Sequence, residues 1–92
     1  MDHLDGKLIT DEMSLATLLF LHGYDLRMEK AKGTRVVWVL DEEEVDEYAV
    51  ELVSDFRSGE ARVEPSRFAS ELGRVRKRLY SFIGHRGVPV GS

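Results

Sequence analysis

Cysteine is absent from the chain, which excludes disulfides and any zinc site built on thiolates. The same absence fits a reducing compartment. Histidine is scarce: His3, His22 and His85 lie far apart, and no His-x-x-x-His pair could start a metal site. There is no glycine-rich phosphate loop, because Gly84-His-Arg-Gly87 follows an expected helix where a nucleotide loop would precede one. Long apolar runs are missing as well. The longest, Leu15 to Leu21, is far too short to cross a bilayer. The start, Met1-Asp-His-Leu-Asp-Gly6, lacks the basic residues and apolar stretch of a secretory signal. Together these absences lead to the expectation of a cytoplasmic protein with no membrane partner, no metal and no cofactor.

Catalytic constellations are equally hard to find. The acidic run Asp41 to Glu47 lacks the glycine and alternating oxygen ligands of a calcium loop, and helix capping accounts for it. No serine stands in a telling relation to a histidine or lysine. No carboxylate pair is marked out for acid–base work. The expectation is a non-enzymatic protein that works by binding.

What is present suffices for one core. The 92 residues are 42% apolar and 33% charged, the composition of a single globular domain. The net charge of −4 hides an asymmetry. Residues 1–61 hold six Lys/Arg against fifteen Asp/Glu, a balance of −9, whereas residues 62–92 hold seven against two, a balance of +5. Such a bipolar chain points to an anionic partner, a head-to-tail oligomer or internal neutralisation.

The periodicities give an α-β-β-α-β-α order. Residues 1–9 read as a flexible lead, 10–83 as one α+β domain, and 84–92 as a flexible tail. Thr10 caps a first helix, over 10–22, that is apolar nearly all round and must be buried on several sides or face another chain. Gly23 ends it. Tyr24, Leu26 and Met28 alternate with charged residues as a half-buried strand, and Lys30-Ala-Lys-Gly33 turns into an apolar strand over 34–40. Asp41 and Glu44 have capping-box spacing before a helix over 42–58, whose stripe is Val45, Tyr48, Ala49, Leu52, Val53 and Phe56. A short third strand is expected over 60–64. Pro65 then opens a helix to residue 83 on the buried stripe Phe68, Leu72, Val75, Leu79, Phe82 and Ile83, with Gly73 a place for close packing. The expected assembly is a small three-stranded, mainly antiparallel sheet in order 2-1-3, packed against three helices.

Several of these motifs recur together. Gly23-Tyr24, Phe56-x-x-Gly59 and Val63-x-Pro65-x-x-Phe68, within roughly 10–82, resemble a family of short domains of unknown function found in bacteria and their phages. The resemblance implies a phage or mobile-element accessory protein. It brings no catalytic residues with it.

The last helix carries the clearest functional colour. Arg67, Arg74 and Arg78 fall on one flank and Lys77 opposite the apolar stripe, so these four are the candidate anion- or nucleic-acid-binding residues, extended by Tyr80 and Arg86. They suit equally a solvated face, the negative end of a helix dipole, or pairing with the acidic second helix. Two readings follow. One is a protein partner or self-association, as a dimer, through apolar residues such as Leu15, Leu19, Val37, Val39 or Val50. The other is phosphate contact through the basic helix.

Overall fold

The structure, a computed structural model, describes residues 2–4, 6–33 and 35–84, with side chains from Gly6 to Ile83 except at Thr34. It is α+β, an antiparallel sheet and three helices. The strands are β1 (Asp2–Leu4), β2 (Lys7–Thr10), β3 (Arg27–Lys30) and β4 (Val36–Leu40); the helices are α1 (Met13–Leu21), α2 (Glu47–Ser58) and α3 (Pro65–Gly84). The sheet order is β1-β2-β4-β3, with every pairing antiparallel.

Two expectations about order need correcting. Residues 7–9 are not a lead, nor does Thr10 cap a helix: Lys7–Thr10 form β2, paired to β4 through Leu8↔Leu40, Ile9↔Val39 and Thr10↔Trp38, and α1 begins only at Met13. Residues 60–64 are not a strand. Their backbone donors are spent elsewhere: the N–H groups of Glu60 and Ala61 both donate to the Asp55 carbonyl, closing the end of α2 behind Gly59 in its left-handed conformation. The Glu64 carboxylate then accepts from the Ser66 hydroxyl and the Arg67 N–H at the start of α3. The expected tail and its residues His85 and Arg86 lie outside the described residues, as does the side chain of His3.

The β3–β4 hairpin forms where alternation and Gly33 placed it, with Arg27↔Val39 and Met28↔Trp38 in register. The face bearing Leu8, Trp38 and Leu40 receives the helices, and on the other face Val39 is flanked by Ile9 and Arg27. Helix α1 lies at the centre. Leu15, Ala16, Thr17, Leu18 and Leu19 are all buried, between β2, α2 and α3. Most of its all-round apolar character is therefore consumed within one chain, with Met13, Phe20 and Leu21 half buried at its ends. Contacts at both ends show that α2 runs antiparallel to α1: Arg57 pairs with Glu12 at one end, and Tyr48 meets His22 at the other.

The α2 cap also differs from the expected one. Glu42–Glu44 form a single 3₁₀ turn, Val45 is extended, and Asp46 caps the helix by accepting from the Ala49 N–H at 2.9 Å. Asp41 is engaged instead by Arg27, whose Nη2 donates to it at 2.8 Å. That guanidinium holds the Asp41 carboxyl below its usual range. Gly73 faces open space, so the close packing expected there is absent.

The Tyr24 hydroxyl donates to Asp46 at 2.6 Å, tying the end of α1 to the start of α2. Burial first, and then this bond to a carboxylate, push the Tyr24 phenol up to about 12. Asp46 is held low by the same bond first and by the Ala49 N–H second. The signs are opposite. Asp46 adds stability above the ordinary carboxylate range that is lost as pH falls through its depressed value. Tyr24 adds stability below the ordinary phenol value of about 10 that is lost as pH rises towards about 12. Ultraviolet titration, taken as the difference between wild type and Tyr24→Phe, is expected to place the Tyr24 midpoint near 12. Asp46→Asn should bring it down. A wild-type midpoint at the ordinary phenol value would contradict the bond.

Candidate binding surface

Arg67, Arg74, Lys77 and Arg78 all lie on α3 and are all exposed, but they do not form one surface. Arg74 donates to Glu71 at 2.9 Å, one helical turn away. The Arg78 guanidinium lies over the Phe20 ring, 4.8 Å from its centroid, in cation–π contact with the end of α1. Lys77 has no ion-pair partner among the described residues. Arg67 sits at the other end of the helix, in a polar recess of about 270 Å³ with Leu21, His22, Arg62, Val63 and Glu64. The structure thus brings Lys77 and Arg78 together and separates Arg67 from them.

Lys77 and Arg78 border a shallow groove of about 550 Å³ whose other walls are Ser81, Phe82 and, from β3, Met28. The helical spacing of Lys77, Arg78, Ser81 and Phe82 puts all four on one flank of α3, while Met28 reaches it because β3 is the edge strand beside that flank. The groove has an apolar floor, a hydroxyl and two cations. The sequence names both cations but places Phe82 and Ile83 in the interior, whereas Ile83 is exposed near the end of the helix. Phe82 and Met28 are in fact only half buried. Among the described residues of α3 only Val75 is fully buried, although the helix is 20 residues long.

The expected oligomer contacts are mostly covered. Leu15 and Leu19 are buried in the core and Val39 is 1% exposed, while Val37 is half buried. Val50 alone of that set is open, at 45%. With Val45, Asp46, Glu47 and Glu51 it lines a second open depression of about 540 Å³ on the outer side of α2. The remaining exposed large apolar side chains include Tyr80 and Ile83, on the flank of α3 away from the groove.

Residues 41–60 carry nine carboxylates and one arginine, and α3 carries five cations and one carboxylate. Yet among the described residues no ion pair joins α2 or its approach to α3; the pairs are Arg27 with Glu29 and Asp41, Arg35 with Asp11, Arg57 with Glu12, and Arg74 with Glu71. Internal neutralisation of the two helices does not occur there. Among the described residues no three His, Asp or Glu side chains gather as a metal site would require, and no helix is long and apolar enough to cross a membrane. Comparison with protein-family models, curated proteins and solved structures finds no match to the chain.

Proposed function

We propose that this chain is a small non-enzymatic binding module of the cytoplasm, an accessory protein of the phage or mobile-element kind, whose ligand is a polypeptide held in the groove between α3 and β3. The observation that carries the reading is the pairing of an apolar floor, Met28 and Phe82, with a cationic rim, Lys77 and Arg78. Half-buried apolar side chains gain by exclusion from water, and rim charges select and orient a partner. The alternative, phosphate contact along the basic helix, is weakened because Glu71 occupies Arg74 and Arg67 lies in a separate recess at the other end of the helix. Without those two, the ridge has too few aligned donors to track a phosphate backbone.

The test is retention of partners from host lysate on immobilised protein, with and without nuclease. Wild type is expected to retain a protein in both conditions, and Lys77→Glu/Arg78→Glu to lose it. Retention that disappears with nuclease would favour the phosphate reading. Retention that survives the double substitution would remove the groove from consideration.

A further inference from the structure

We infer that the polypeptide seated in the α3–β3 groove is the acidic α2 face of a second copy of this chain, so that copies associate head to tail. The inference rests on the groove being a protein-docking surface, and it names the occupant.

The two surfaces are opposite in charge, and each carries apolar side chains. The groove, about 550 Å³, sets Lys77 and Arg78 around Met28 and Phe82. The α2 face, about 540 Å³, sets Asp46, Glu47 and Glu51 around Val45 and Val50. Both are shallow, so the fit is face to face, with Val50 the most exposed apolar group offered by the acidic side. Asp46 is already fixed by Tyr24 and the Ala49 N–H, which lowers the ordering cost of docking. Glu47 and Glu51 are exposed and have no ion-pair partner among the described residues, and the same holds for Lys77. Within one copy these charges do not meet, since no ion pair joins α2 to α3. A second copy supplies the contact that the fold withholds. Other apolar surface on α3, at Tyr80 and Ile83, has Arg76 beside it and no carboxylate, so two copies meeting there would set like charges together.

The contact joins two different surfaces and leaves one of each free at the ends. Association therefore continues past the dimer expected from the sequence unless a ring closes.

Light scattering and sedimentation on the full chain, at millimolar concentration and low salt, are expected to give a weight-average mass that rises above twice the 10.5 kDa of one copy. Added salt should reverse the rise, because exposed charges are screened. Lys77→Glu/Arg78→Glu and Glu47→Lys/Glu51→Lys should each weaken association by about tenfold or more when alone, through like-charge contact. Mixed, these two variants offer two complementary contacts, the native face on the native groove and the reversed groove on the reversed face, and should associate again as alternating copies. The fourfold variant carrying both reversals should associate again. Circular dichroism keeps the comparison to folded protein, and all four positions are exposed.

A single 10.5 kDa species in low salt, unimpaired association of either double variant, or no pairing in the mixture would each overturn the inference. If wild type stays monomeric while lysate retention remains sensitive to Lys77→Glu/Arg78→Glu, the groove keeps its role and only this occupant is lost. If both fail, the docking surface fails with it.

Discussion

Removal of residues 1–10 is expected to abolish cooperative unfolding. Strand β2 is an interior strand, and its loss strips β4 of one whole hydrogen-bonded edge. Leu8, 4% exposed, is worth roughly 1.5–3 kcal/mol of burial by itself. Its removal also uncovers Leu40 and Trp38, now 0% and 3% exposed. The total stability of a chain of this length is on the order of 5–14 kcal/mol, so these losses consume most of it. What remains is a bare edge of Val-Val-Trp-Val-Leu, a sequence suited to pairing with other chains. Thermal unfolding followed by near- and far-ultraviolet circular dichroism, with light scattering for aggregation, checks this. A truncated protein that melts sharply at the wild-type temperature would return residues 1–9 to the status of a lead.

Val75→Asp is expected to lower the melting temperature by roughly 15–30 °C, following from a loss of about 4 kcal/mol in a domain of this size. Val75 is 0% exposed, the one fully buried side chain among the described residues of α3, which packs on α1. A carboxylate there has neither water nor a cation within the core, and expelling it means lifting α3 from α1. Ile83→Asp is the matched control. Ile83 is 46% exposed on the same helix, and an aspartate there can remain hydrated. Its effect should stay within about 1 kcal/mol. Equal shifts for the two substitutions would mean that α3 is not anchored at Val75.

The long signals were legible from residues alone. The stripe of α2 and α3 spans three or more turns each, and the Tyr24–Met28 alternation ending at Gly33 marks the hairpin, so these elements exist where periodicity puts them, although the first hairpin strand begins only at Arg27 and α2 only at Glu47. Strand β2 was not legible. Lys7-Leu8-Ile9-Thr10 is four residues long, follows an acidic start, and shows its alternation only once Leu40 and Trp38 are known to face Leu8 and Thr10. The converse error at 61–64 has the same root. Ala61-Arg-Val-Glu64 alternates well, but alternation cannot reveal that the neighbouring donors already serve the Asp55 carbonyl. Asp41 was read as a cap because its spacing to Glu44 is right; the competition from Arg27, fourteen residues away, is tertiary. The candidate surface follows the same division. Lys77 and Arg78 could be named from helical geometry, whereas Met28 enters the groove only through sheet order, and the lack of α2–α3 ion pairs is a property of the packed chain.

The placement of β4 also bears on how the chain is made. It is the most apolar strand and sits inside the sheet, between β2 and β3. Both neighbours precede it in sequence. As the polypeptide leaves the ribosome, the segment most prone to pair wrongly therefore arrives last among the strands, with a partner for each edge already synthesised and α1 already available to cover one face. Helix α3 follows and closes over α1. The order of elements along the chain thus shortens the time during which the Val-Val-Trp-Val-Leu edge is open to other nascent chains.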